Sequence, residues 1–262
     1  MSDAGERARQ IEEASLRAWP ALTDSDFDGW RLRFADGYTR RANSITPLWP
    51  SRLTLLDKIS TCERIYRARG LPPIFRLTPF AQPELDGILE ARGYGLGDRV
   101  EVRARDMSAT IPSVAAPGLP ASLRIEALGL DKWLDAFTAL SGAAEATRGA
   151  HRRVLSATPG TRRLFVLVAE ERPVACGMCV LHEGLLGLFD LVTAPDSRRR
   201  GFGAEILRRA LRWGERAGAR EAYLQVLAGN AVASRLYDRA GFALVYRYHY
   251  REPPPDLTPL ER

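Results

Sequence analysis

The second half of the chain ends in a regular alternation of strand-like and helix-like segments. The predicted elements are strand 185–193, helix 203–217, strand 221–227, helix 230–239 and strand 242–250. Gly218 and Gly241 stand where the two helices end, and Asn230 is a good N-cap for the second helix. This order of strand, helix, strand, helix and strand predicts a mixed α/β fold.

The segments before residue 185 extend the same pattern. Two apolar strands, 163–169 and 173–181, are joined by a tight turn at 170–172, which is typical of a hairpin. A short strand is predicted at 123–126. Apolar residues at helical spacing predict a helix at 131–140.

The clearest break in the sequence lies at 108–121, where prolines and a glycine stand among small uncharged residues. We take 111–121 as a linker between an N-terminal domain, 1–110, and a C-terminal domain, 122–262. Each of the two is long enough to bury a hydrophobic core.

The N-terminal part has landmark residues and predicted elements that align with those of the C-terminal part. A shift of 148 residues places Gly29 on Gly177, Pro47 on Pro195, Arg52 on Arg200, Gly70 on Gly218, and Gly93-Tyr94 on Gly241-Phe242. Helices predicted at 53–69 and 83–92, and strands at 74–77 and 99–107, follow the order of the C-terminal elements. The N-terminal part is therefore predicted to be a shortened copy of the same fold.

Cysteine content and hydropathy indicate the cellular compartment of the protein. Three cysteines are too few for a disulfide framework. Cys176 and Cys179 form a CxxC motif that is either a redox or zinc site or part of a buried strand, where residues three apart face opposite sides. Residues 1–17 are charged and lack the apolar core of a signal peptide, and no stretch is long enough to span a membrane. These features predict a cytoplasmic protein without a membrane partner.

The segment 198–204 (Arg-Arg-Arg-Gly-Phe-Gly-Ala) follows a strand and opens a helix. Glycines let a backbone approach a ligand closely, and the free N–H groups and dipole of a helix N-terminus favour an anion. The arginines add charged donors, so the segment predicts a pyrophosphate cradle. Taken alone, it also fits a helix start with solvated arginines. The glycine spacing differs from a dinucleotide-binding fingerprint, and the lysine of a P-loop is missing.

Two further stretches accompany this segment. Before it stands Leu191-Val192-Thr193-Ala194-Pro195, and after it comes Asn230-x-x-Ala233-x-x-Leu236-Tyr237-x-x-x-Gly241-Phe242. Over 123–251 this combination resembles the GNAT superfamily of acetyl-CoA-dependent N-acetyltransferases, in a two-domain bacterial form with a degenerate N-terminal copy. The resemblance implies a tandem GNAT-like acyl-CoA N-acyltransferase fold of the α/β (α+β) class, with a mixed, mostly antiparallel sheet flanked by helices.

The resemblance also implies acetyl-CoA as the cosubstrate. It assigns to the coenzyme A site Leu191, Val192, Thr193, Arg198, Arg199, Arg200, Gly201, Phe202, Gly203, Ala204 and Asn230. Tyr237 matches the tyrosine that protonates the leaving thiolate, and a tyrosine hydroxyl is a neutral donor at pH 7. The alternative for Tyr237 is a core aromatic residue on an amphipathic helix.

The general base is marked less clearly. The resemblance implies an acid on the strand before the cradle, or a water relay, and that strand offers Asp190 as the candidate base. Glu183 lies just upstream, and Glu145 lies in the region that usually faces the substrate. The alternative for each of the three carboxylates is that it is a solvated side chain and not the general base. No metal site is predicted.

The N-terminal copy lacks these features. In place of Arg198, Gly201, Gly203, Asn230 and Tyr237 it has Pro50, Leu53, Leu55, Gln82 and Leu89. Branched side chains at both glycine positions would block a phosphate, so we predict that this copy binds no coenzyme A. Its polar segment 38–44 is similar to a stretch in the N-terminal regions of some two-domain bacterial GNAT proteins. That segment is either a substrate-lining surface between the copies or a polar sheet edge.

The excess of basic residues that gives the chain its net charge of +6 is concentrated in one region. Only two of the 38 basic residues are lysines, which indicates a GC-rich genome rather than a particular partner. Residues 198–220 hold eight arginines and two glutamates, which equals the whole excess. This placement favours a polyanionic cofactor over nucleic acid. The sequence thus predicts an enzyme that acetylates a primary amine, as a monomer or homodimer. The alternative is a non-catalytic acyl-CoA-binding sensor or assembly module.

Overall fold

The structure, a computed structural model, describes residues 3–110, 119–120 and 122–257. Its helices are α1 (Asp3–Ala18), α2 (Leu55–Arg67), α3 (Pro83–Ala91), α4 (Leu130–Ser141), α5 (Glu145–Ala157), α6 (Phe202–Arg216) and α7 (Ala231–Arg239). Its strands are β1 (Thr23–Phe27), β2 (Trp30–Phe34), β3 (Ile45–Pro47), β4 (Phe75–Leu77), β5 (Gly95–Asp106), β6 (Arg124–Ala127), β7 (Thr161–Ala169), β8 (Arg172–His182), β9 (Leu185–Thr193), β10 (Glu221–Leu227) and β11 (Ala243–Glu252). None of the helices described is both long and apolar enough to cross a bilayer.

One compact unit comprises the described residues of 3–18, 102–226 and 230–245. Its strands lie in the order β5-β10-β9-β8-β7-β6. Strands β6 to β9 pair antiparallel, whereas β9 and β10 pair parallel. One apolar face of α6 packs on β7 to β10 to form the core, which includes Leu188 and Ile206. Since α6 is held against the sheet in this way, its first turn has a fixed place near the end of β9.

The other compact unit, the N-terminal unit, comprises residues 19–101, 227–229 and 246–257. Its strands lie in the order β1-β2-β3-β4-β11-β5, with β3 and β4 parallel. Aromatic side chains of β2, β4 and α2 form its core. Strands β5 and β11 contribute residues to both units, because β5 passes from one to the other at residue 102 and β11 at residue 246.

The alternating elements are confirmed by the structure. Strands β9 and β10 have the predicted bounds, and α6 and α7 begin within one residue of the prediction. Glu170 and Glu171 form the predicted turn between β7 and β8, and both have positive φ angles. The predicted linker 111–121 lies outside the described residues except for 119 and 120, so the boundary at that place stays a prediction.

Helix α5 and the short strands β1, β2 and β3 were not predicted. Only His151, Val154 and Leu155 of α5 are buried. The apolar face of this helix therefore spans too few residues to show a helical periodicity in the sequence. Strand β1 has exposed polar residues along most of its length, so it lacks the alternation that marks a strand. The polar segment 38–44 forms turns between β2 and β3.

In the later part of the N-terminal half, the shift of 148 residues aligns observed helices and strands with those of the C-terminal half. It superimposes the bounds of α3 on those of α7 and places the start of β5 on the start of β11. It fails for Gly29 and Gly177, which the sequence comparison had aligned. Gly29 lies in the β1–β2 turn with a φ of 81°, whereas Gly177 lies in the middle of β8.

The three cysteines are free and buried. Cys176 and Cys179 lie within β8, and burial raises the pKa of both thiols far above the usual value. A thiolate, the form that redox and metal chemistry require, is therefore disfavoured at both positions. This supports the interpretation of the CxxC motif as part of a buried strand.

Candidate active site

The sheet opens between β9 and β10. Their parallel pairing runs from Leu185 opposite Glu221 to Leu188 opposite Leu224, and β9 then continues to Thr193 with no further partner on β10. Main-chain groups of residues 190–193 on that side of β9 are therefore available to a ligand that enters as an extra strand.

A β-bulge in β9 coincides with this opening. Cys176 pairs with Val192 and Met178 with Phe189, so that two residues of β9, 190 and 191, stand opposite Gly177 alone. Asp190 adopts the left-handed conformation, with a φ of 51°. A glycine inside a strand often marks such a bulge, so Gly177 was the sequence signal that could have predicted it.

The turn from β9 into α6 presents main-chain N–H groups. Gly201 caps the helix with a φ of 87°, a conformation that favours glycine, and Arg199 has a φ of 61°. The first regular helical bond of α6 is donated by the N–H of Glu205 to the carbonyl of Gly201, at 3.0 Å. In the described part of the chain, the N–H groups of 198–204 have no protein acceptor. Together with the helix dipole they form a donor set suited to a pyrophosphate.

Glycine at position 203 keeps this donor set accessible. A Cβ atom there would stand 3.4 Å from Thr193 Oγ1 and 3.7 Å from Leu236 Cδ2. It would thus fill the space between the end of β9, the first turn of α6 and α7. The residues present fit the phosphate-bearing end of coenzyme A, because both the donors and the room for close backbone approach are there.

The arginines of this region divide into two groups. Arg198, Arg199 and Arg200 are exposed around the turn. Arg208 and Arg209 instead pair with the buried Glu205, whose carboxylate accepts a hydrogen bond from each Nε at 2.7 Å. The positive electrostatic potential at the start of α6 therefore comes mainly from Arg198, Arg199 and Arg200.

Helix α7 carries the other two assigned residues. Asn230 caps it, and its side-chain oxygen accepts a hydrogen bond of 3.1 Å from the N–H of Ala233. Tyr237 is 8% exposed, and its ring meets Phe242 edge to face at 6.0 Å. Burial raises the pKa of Tyr237 to about 12. The hydroxyl is therefore a proton donor over the whole physiological range.

Asp190 meets a histidine that was not predicted as a site residue. His151 Nε2 lies 3.0 Å from Asp190 Oδ2, and both of these atoms are buried. The imidazole packs edge to face against Trp133 and Phe137, with centroids 5.9 and 4.9 Å away. No local pattern predicted this pair, because His151 lies on α5, which was not predicted, and stands 39 positions before Asp190.

The other two candidate bases lie in less suitable places. Glu183 stands in the β8–β9 turn, at the end of β9 opposite the cradle, which is more than about 20 Å away along the strand. Its carboxylate faces Arg17 at 3.6 Å. Glu145 begins α5, is exposed and lies 4.0 Å from Arg148. Asp190 alone of the three carboxylates adjoins the opened end of β9.

The N-terminus of α2 has a different arrangement. The carboxylate of Asp28 accepts hydrogen bonds from the N–H groups of Arg52 and Leu53, at 3.0 and 2.9 Å. These bonds lower the pKa of Asp28, and the Lys58 ammonium 3.5 Å away has the same effect. A carboxylate of the chain itself thus occupies the place that an anion would take at this helix.

The bulged strand, which splays from a parallel neighbour and leads into a helix start with free N–H groups, agrees with the comparisons, which identify the chain as a GNAT-type N-acetyltransferase. An "uncharacterized N-acetyltransferase YobR" of Bacillus subtilis strain 168 is 27% identical over 244 residues, covering 93% of this chain and 97% of the relative. The chain belongs to the family described as "probable histone acetyltransferase Rv0428c C-terminal", whose model matches residues 6–251.

Solved structures share the fold. A GCN5-related N-acetyltransferase from Kribbella flavida aligns with a TM-score of 0.69 at 18% identity, over 94% of this chain and 95% of its own. A tandem GNAT protein from the clavulanic acid biosynthesis pathway aligns with a TM-score of 0.65 at 13% identity, over 96% of this chain and 97% of its own. At these identities the likeness concerns the fold.

Proposed function

We propose that the chain transfers the acetyl group of acetyl-CoA to a primary amine. The observation that carries the proposal is the set of N–H groups at 198–204, which lies directly beyond the opened edge of β9. A pyrophosphate at the helix start would leave the pantetheine arm to run along residues 191–193, as an added strand. The exposed Arg198, Arg199 and Arg200 supply the positive charge that such a polyanion requires.

The mechanism assigns each step to a residue of the opened edge or of α7. When bound, acetyl-CoA supplies an activated acetyl thioester. Those main-chain N–H groups of 191–193 that face the opened edge would hold its carbonyl and stabilise the negative charge that develops on the oxygen as the amine attacks. Asp190 accepts the proton that the amine releases, directly or through water. Tyr237 donates its hydroxyl proton to the departing sulfur, and its raised pKa keeps that proton in place beforehand.

The N-terminal unit is proposed as a degenerate copy that binds no coenzyme A. Its α2 begins at Leu55, two residues after Leu53, and these two leucines stand near the positions that correspond to the glycines at the start of α6. Asp28 already takes two of its main-chain donors, and its negative charge would repel a phosphate. A single coenzyme A is therefore expected to bind to each chain.

Two assays test the proposal. Isothermal titration calorimetry with acetyl-CoA should show one site at concentrations up to ~100 μM, a typical cosubstrate range. Thiol release should then be measured with a panel of amines that includes small amines, amino acids and a lysine-bearing histone-tail peptide, since the family is described as probable histone acetyltransferases. Binding without turnover on any amine would favour a non-catalytic acyl-CoA-binding module. Absence of binding would refute both functions.

A further inference from the structure

The contact between α5 and the bulge of β9 calls for a functional explanation. His151 and Asp190 bring together an imidazole and a carboxylate whose facing atoms, Nε2 and Oδ2, are both buried. His151 is 2% exposed and lies within an aromatic core. Burying an ionisable ring beside a carboxylate costs desolvation energy that an apolar residue would not incur.

The imidazole has little freedom to move. The rings of Trp133 and Phe137 pack against it. Two ion pairs tie α5 to α4 on either side of it, between Arg148 and Asp135 at 2.6 Å and between Arg152 and Asp131 at 2.7 Å. His151 therefore presents Nε2 to the bulge in one orientation.

The backbone of Asp190 is placed just as firmly. It is a non-glycine residue in the left-handed region, which persists only where the surrounding structure imposes it. Such bulges re-aim a side chain, and they are common beside active sites. The Asp190 side chain keeps 18% exposure although its Oδ2 atom is buried. Oδ1 is thus the carboxylate oxygen left to accept a proton from a substrate.

We propose that His151 is the positioning residue of the general base Asp190, an inference that rests on the proposed function. As the nitrogen–carbon bond to the acetyl group forms, the amine loses a proton to Asp190 Oδ1, and the thiolate leaves with the proton of Tyr237. Asp190 later returns its proton to solvent, and Tyr237 regains one. His151 forms and breaks no bond to substrate. It fixes the plane of the carboxylate so that Oδ1 faces the opened edge of β9.

Three variants test this role in the full-length protein. His151→Phe keeps an aromatic ring in the core but removes both nitrogens, and it should lower kcat at least about tenfold, because small misplacements of a reacting group are costly. The acetyl-CoA dissociation constant should stay within about twofold, because the cradle is built from other residues. His151→Gln retains a polar end group and should recover part of kcat. Val154→Ala, buried on the same helix, is the control for lost stability.

The control variant should unfold at a lower temperature than the wild type yet keep kcat within about twofold. Wild-type kcat in His151→Phe would overturn the proposal, as would equal losses of kcat in His151→Phe and Val154→Ala. A second readout does not need turnover: the ¹⁵N chemical shifts of the His151 ring should change in Asp190→Asn at constant pH. Unchanged shifts would refute the pair itself, whereas changed shifts in a protein that acetylates no amine would refute only the proposed function.

Discussion

Replacing Gly203 by alanine should separate the stability of α6 from its capacity to bind a cofactor. Alanine is better than glycine in a helix by about 1 kcal/mol. The new Cβ atom meets its nearest neighbours at 3.4 and 3.7 Å, so that the fold can accept it. We expect the thermal midpoint to stay level or to rise by about 2–4 °C.

Affinity should change in the opposite direction. The added methyl group lies where a phosphate-bearing ligand must approach the main chain closely. Losing one charge-assisted hydrogen bond costs about 1.5–3 kcal/mol. Because 1.4 kcal/mol corresponds to a factor of ten, acetyl-CoA should bind roughly 10- to 100-fold more weakly. Gly203→Val, with two more methyl groups, should bind more weakly still.

Differential scanning fluorimetry and calorimetric titration measure the two effects on the same samples. Gly149→Ala is the matched control, since Gly149 lies inside α5 and a Cβ there meets only the end of the Arg153 side chain, at 3.7 Å. It should raise the midpoint similarly and leave acetyl-CoA binding unchanged. If Gly203→Ala and Gly203→Val both bound acetyl-CoA as tightly as the wild type, the assignment of the cradle would be wrong.

Three further changes have defined outcomes. Tyr237→Phe should lower kcat about 100-fold with acetyl-CoA affinity unchanged, and a parallel loss of affinity would indicate a packing role. Because the pKa of Tyr237 is raised to about 12, its deprotonation should not limit kcat below about pH 10 in a pH–rate profile. Asp28→Asn should lower the thermal midpoint near neutral pH. Since the folded state lowers the pKa of Asp28, that stabilisation is present above the ordinary Asp pKa of about 3.9 and is lost at more acid pH. A midpoint difference that persisted undiminished below that range would contradict the assigned contact.

Local signals account for what could be predicted from the sequence. Gly218, Gly241 and Asn230 end or begin helices through their own backbone preferences, so the bounds of α6 and α7 followed from nearby residues alone. The turn at 198–204 could be read in the same way, because glycines and a helix start stand next to each other in the chain. These features do not depend on distant contacts.

The features that escaped prediction depend on residues far apart in sequence. The bulge at Asp190 exists because β9 pairs out of step with β8, and the meeting of His151 with Asp190 requires α5 to lie against β9. Asp28 reaches the start of α2 across 24 residues. Gly177 was a local sign of the bulge, but no local pattern marks the contacts of His151 or Asp28, and only the tertiary fold gives these two side chains their partners.

The passage of β11 from one unit to the other bears on the order in which the chain can fold during synthesis. In the N-terminal unit, residues 246–252 of β11 lie between β4 and β5, which are made about 170 and 145 residues earlier. That sheet cannot close until almost the whole chain has left the ribosome, although N-terminal domains commonly fold first. Gene fragments divided near residue 115 would accordingly leave the N-terminal product without the strand that joins β4 to β5 in its sheet.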